Sequence, residues 1–96
     1  MPRNQKLTKV IAGRTIKAST TEAGAVVLLF DDDSRMEIRT GAPAGVSLGG
    51  KVKSVQEAET ELKIEFADGS TATFRLEDPG SSVAVRDKNN AVEYLG

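Results

Sequence analysis

The sequence contains no cysteine and no histidine. Without cysteine there can be no disulfide framework, no thiolate metal site and no sulfur nucleophile. The missing histidine excludes more. Imidazole is the commonest general base and metal ligand, and the one unperturbed side chain that titrates near neutral pH. Most routes to hydrolysis are closed with it, so an enzyme is not expected and no cofactor or metal is implied. Aromatics are also few, three Phe and one Tyr. Long hydrophobic runs are lacking too. The longest, Gly24 to Phe30, is far too short to span a bilayer or form a signal-peptide core. The expectation is a chain with no membrane role and a cytoplasmic location.

What is present is one domain's worth of chain, 96 residues with 39% apolar and 28% charged side chains, an ordinary globular balance. Net charge is −1, but it is unevenly spread. Arg3, Lys6, Lys9, Arg14 and Lys17 precede the first acid, Glu22, so the opening segment carries +5. The remainder, with 8 bases against 14 acids, carries −6. Such asymmetry can mark an anion-binding arm, which makes Lys6, Lys9, Arg14 and Lys17 candidate anion-binding residues. Solvation of an exposed face is the plainer reading of the same charges.

Hydrophobic periodicity is that of strands. Leu62, Ile64 and Phe66 alternate with Glu61, Lys63 and Glu65, as in a half-buried strand, and Ala72, Phe74 and Leu76 alternate with Thr71, Thr73 and Arg75. Ala67-Asp68-Gly69-Ser70 between them is a hairpin signal, with Asp-Gly suited to the positive φ of a primed turn. A strand from Lys51 to Val55 precedes this pair. With Phe30 placed over Phe66, the chain matches itself: Ile16 falls on Val52, Val26 and Leu28 on Leu62 and Ile64, Asp32 and Ser34 on Asp68 and Ser70, Ile38 on Phe74, Val10 and Gly13 on Val46 and Gly49. The predicted architecture is a single domain, residues 1–96, made of pseudo-repeats at about 10–40 and 46–76 and a C-terminal hairpin at about 81–96. In the first repeat, strands are predicted over Thr15 to Ser19, Ala25 to Phe30 and Arg35 to Thr40. Leu7, Val10 and Ile11 at i, i+3 and i+4 add a short N-terminal helical turn, with Asn4 as N-cap and Gly13 as terminator. Asp78-Pro79-Gly80 reads as a turn. Strands over Ser82 to Arg86 and Ala91 to Leu95 make eight short antiparallel strands, folded as a compact barrel or sandwich.

The run Asp31-Asp32-Asp33 is the obvious cation candidate, since hard cations want several oxygens at once. The alignment puts Asp32 on Asp68 and Asp33 on Gly69, which reads the run as turn residues instead. Gly41, Gly45, Gly49 and Gly50, with Pro43, read as a flexible connection, because no strand-to-helix phosphate loop surrounds them. Composition argues against nucleic-acid binding: the Phe residues fall on inward positions, and only Tyr94 is a candidate for stacking.

A mismatch between the repeats is the sharper signal. Glu61, Lys63 and Glu65 correspond to Ala25, Val27 and Leu29, so Ala25 to Phe30 is apolar on both sides and something should cover it. Either the helical turn or the C-terminal hairpin does so, or the face binds a partner. Val27, Leu29 and Tyr94 are the candidate partner-interface residues. The function expected is a non-catalytic interaction or assembly module, with a protein partner or self-association as a homodimer. The alternative is anion or single-stranded nucleic-acid binding through the basic N-terminal segment.

Overall fold

The computed structural model describes residues 2–22, 24–40, 48–78 and 80–96. The predicted connection at Gly41, Pro43 and Gly45, the Val46 match and Pro79 of the predicted turn lie outside these residues.

Among the described residues one helix and eight strands are formed. Helix α1, Gln5–Ile11, begins where Asn4 accepts the Leu7 N–H at 2.9 Å through its side chain, satisfying one of the otherwise orphaned first-turn donors. The helix buries Leu7 and Ile11, one turn apart on a single face. The strands are β1 Ile16–Glu22, β2 Ala25–Phe30, β3 Arg35–Arg39, β4 Val52–Glu57, β5 Glu61–Phe66, β6 Thr71–Arg75, β7 Val83–Arg86 and β8 Val92–Leu95. They are arranged as two antiparallel sheets, β1-β2-β3-β7-β8 and β4-β5-β6.

The sheets do not close into a barrel. Beyond the named strands they touch through single bridges, Thr15 with Lys51 and Thr40 with Leu76, too few to carry a continuous ladder around. The chain before the helix takes the outer edge of β4 instead. Asn4 N–H donates to the Val55 carbonyl, Glu57 N–H to the Pro2 carbonyl, and Val55 N–H to the Thr8 hydroxyl. An edge that could template association is thereby occupied.

Alternation places Val26, Leu28, Phe30, Met36, Ile38, Val83 and Val85 of the larger sheet in one core with Val52, Val55, Leu62, Ile64, Phe66 and Phe74 of the smaller. Leu7 and Ile11 join the same cluster. The three buried Phe side chains are its largest members.

Three of the hairpins, β2–β3, β5–β6 and β7–β8, turn by the same device. Phe30 N–H donates to the Ser34 carbonyl while Asp33 N–H donates back to the Phe30 carbonyl. Phe66, Gly69 and Ser70 repeat this, as do Asp87, Asn90 and Ala91. The third loop residue is left-handed each time: Asp33 at φ 66°, Gly69 at 89°, Asn90 at 67°. The Asp-Gly signal therefore yields one positive-φ residue, not the two of a type I′ turn. Asp68 instead braces the loop, its carboxylate accepting from the Ser70 N–H at 2.9 Å and the Ser70 hydroxyl at 2.6 Å.

Pairing in the two sheets follows a common register. Ile16 opposes Phe30 and Val52 opposes Phe66. The next partners are Ala18 with Leu29 and Ser54 with Glu65, so each first strand bulges after its first residue. The seam between sheets is reciprocal as well. Gly13 N–H donates to the Val52 carbonyl and Gly49 N–H to the Ile16 carbonyl. Ile16 N–H donates to the Gly50 carbonyl and Val52 N–H to the Arg14 carbonyl.

Candidate functional site

With the inner faces sealed in one core, function has only the outer faces and the loop ends to use. On the smaller sheet Glu61, Lys63 and Glu65 of β5 lie between the edge strands, an ordinary solvated surface. On the larger sheet the same positions of the middle strand are Ala25, Val27 and Leu29, all half-buried. Helix α1 packs on β4 and β8, and β7 extends the sheet beside β3. Among the described elements, neither expected cover lies over Val27 and Leu29.

The strands beside β2 set the character of this face. Across β3 stand Arg35, Glu37 and Arg39, and across β7 stand Ala84 and Arg86. Beyond them, β8 presents Val92 and Leu95, 49% and 66% exposed. The face is thus two apolar columns, on β2 and β8, with a guanidinium-rich ridge between them. Over the small Ala84 the ridge opens into a depression of about 440 Å³ bordered by Glu37, Arg39, Arg86 and Leu95.

The ridge has an unusual electrostatic feature. Arg35 and Arg86 are directly opposite one another in the β3–β7 ladder, and like charges so placed destabilise a sheet. Their hydrogen-bond partners are neutral: Arg35 donates to Asn90 Oδ1 at 2.5 Å and Arg86 to the Asn90 carbonyl at 3.4 Å. Among the described residues no ion pair reaches Arg35, Arg39 or Arg86.

Tyr94 is not part of this face. It pairs with the inward-facing Val85, packs against the core, and its hydroxyl accepts from Asn4 Nδ2 at 2.8 Å. The structure brings Val27 and Leu29 together and sends Tyr94 to the other side of the sheet. Arg35, Arg39, Arg86, Val92 and Leu95 are the neighbours that sequence reasoning missed. The signal for Arg35 and Arg39 was available, since their alternation in Arg35 to Arg39 places them on the face of Val27 and Leu29; Arg86 joins them only through the pairing of β7 with β3.

The basic candidates do not converge either. Lys6 and Lys9 are exposed on α1. Lys17 pairs with Asp33 at 2.9 Å on the surface. Arg14 is only 18% exposed and is held by Glu93 at 2.6 Å, Asp32 at 3.3 Å and the Ser34 hydroxyl at 2.9 Å. Its hydrogen bond to Glu93 raises its pKa further above the usual guanidinium value, against the opposing pull of burial. This cluster ties β8 to the tip of the β2–β3 hairpin.

The three acids of that tip diverge. Asp31 accepts from the Thr15 N–H at 3.2 Å, Asp32 accepts from Ser34 and meets Arg14, and Asp33 meets Lys17. The Ser34 hydroxyl, more than Arg14, holds the Asp32 carboxyl below its ordinary range. Among the described residues no three such side chains gather as a metal site, and no helix is long and apolar enough to cross a membrane.

No protein-family model matches the chain, and no curated protein or solved structure shows significant similarity to it.

Proposed function

We propose that this protein is a non-catalytic interaction module that works through the outer face of its five-stranded sheet. One observation carries the reading. Two middle strands of equal length and matching register differ in what they turn outward, Glu61, Lys63 and Glu65 on β5 against Ala25, Val27 and Leu29 on β2. Solvation explains the first surface. The second leaves apolar area on β2, with the exposed Val92 and Leu95 as a separate apolar column across the ridge, and apolar surface interleaved with charge in this way is how partner sites are built. Covering Val27 and Leu29 completely would be worth up to roughly 1.5–3 kcal/mol per side chain, less the part their neighbours already shield.

The shared register, the matching bulges and the reciprocal seam also support descent of residues 10–40 and 46–76 from one duplicated β-unit, with the first copy's outer face diverged for binding. The anion-binding alternative has less behind it, because Arg14 and Lys17 are each engaged by carboxylates.

Quantitative co-purification from the source cell, with wild type, Leu29→Glu and Lys63→Glu compared, tests the reading. Partners, or a second copy detected by light scattering, are expected to be lost with Leu29→Glu and kept with Lys63→Glu. The same set of companions for all three proteins would overturn it.

A further inference from the structure

We infer that the partner of this face is an acidic amphipathic segment, whose apolar side chains rest on Val27 and Leu29 while its carboxylates engage Arg35, Arg86 and Arg39. The inference rests on the interaction-module reading and adds the chemistry of the occupant.

Charge is the argument. The ridge holds three guanidiniums against one carboxylate, Glu37, with a second carboxylate, Glu22, across β2 on β1, and none of the three guanidiniums is ion-paired within the described chain. Arg35 and Arg86 stand side by side with only the neutral Asn90 between them. A carboxylate placed over the pair would relieve their repulsion and gain charge-assisted, fork-shaped hydrogen bonds. Neighbouring strands are about 4.8 Å apart, so the arginines of β3 lie one strand, and Arg86 two strands, from the Val27 and Leu29 column. That separation is within the width of one helix, about 10 Å, which could put leucine-type residues on β2 and acids over the ridge.

A second copy docked two-fold through this face would set arginine ridge near arginine ridge, which such a dimer would have to neutralise. A nucleic acid would meet the charge but not the apolar columns. The described side chains of this face include no aromatic on which a base could stack.

The test uses two labelled synthetic peptides of about five helical turns with the same leucine stripe, bordered in one by glutamate and in the other by lysine. Fluorescence anisotropy with the full chain should show the glutamate peptide binding about tenfold or more tighter, with the advantage shrinking as sodium chloride is raised. Arg35→Gln/Arg86→Gln should abolish that advantage, Leu29→Ala should weaken the glutamate peptide, and Lys63→Glu should change nothing. Circular dichroism confirms that each variant is folded. Equal binding of both peptides, or a glutamate preference that survives loss of both arginines, would sink the inference. So would tighter binding of a single-stranded oligonucleotide at the same arginines. Neither peptide binding, with light scattering showing a dimer that Leu29→Glu dissolves, overturns the acidic partner but leaves the interaction-module reading standing. Neither binding, with no change on Leu29→Glu in co-purification, removes both.

Discussion

Single side chains in this molecule are explained by the turn or ring they serve. Asp68 is the clearest. Exposed, and with no ion pair among the described residues, it is held below the ordinary carboxyl value of 3.8 by the hydroxyl of Ser70 first and the Ser70 N–H second. Both bonds favour the ionised form. A depressed folded pKa means stability that is present above the unfolded value and is lost as pH falls through the folded one. An NMR titration should therefore place the Asp68 midpoint below 3.8 in the wild type and closer to that value in Ser70→Ala. An unmoved midpoint would show that the hydroxyl contributes nothing. Asp32 and Asp33 were legible as turn residues because they align with Asp68 and Gly69, and Asp33 does take the left-handed backbone of Gly69; the side-chain partners of Asp31 and Asp33 were not, because they depend on Thr15 and Lys17 across the hairpin. Gly50 shows the opposite case. Composition reads it as part of a flexible connection, yet a Cβ there would stand 2.9 Å from the Phe66 ring, so its place is set by packing that no local pattern announces.

Among the elements, α1 follows most directly from the sequence. Its N-cap and its buried Leu7 and Ile11 are readable from spacing alone. Less visible is that Asn4 does three jobs: Oδ1 caps the helix, while Nδ2 donates to Glu57 at 2.9 Å and to Tyr94 at 2.8 Å. Asn4→Ala removes the cap and both donations at once. It should lower stability by about 1–2 kcal/mol or somewhat more, read as a shift of the urea midpoint at unchanged slope. A loss of a few tenths would mean that α1 is held by Leu7 and Ile11 alone. Strand β8 was the harder element to read. Strict alternation would put Val92 and Tyr94 on one side, but the register shift between Val85 and Arg86 consumes a residue at Glu93. Val92 and Leu95 therefore face out, Tyr94 faces in, and Glu93 reaches Arg14. A bulge inverts a face, and nothing in four residues reports it.

At the scale of the whole molecule, the strand boundaries and inward faces were largely legible, since period-two alternation encodes them. The choice between barrel and two sheets was not. Alternation tells each strand which side to bury but not which strands pair at long range, and here the deciding contact is β7 against β3. Because both sheets supply one core, Phe30→Ala and Phe66→Ala should each cost about 3–5 kcal/mol, through the same single unfolding transition. Two separate transitions in calorimetry would mean that the sheets are independent. The reciprocal seam and the meander pairing also set the order in which the chain can assemble. Strands β1 to β3 and β4 to β6 each pair with their neighbours in sequence across short loops, so the entropic cost of closing them is small. Bringing β7 back beside β3 is a closure between distant parts of the chain, and it creates the guanidinium ridge by setting Arg86 opposite Arg35. The outer face proposed to bind is therefore complete only once a pairing between distant parts of the chain has formed, so slow or interrupted folding would leave it unfinished.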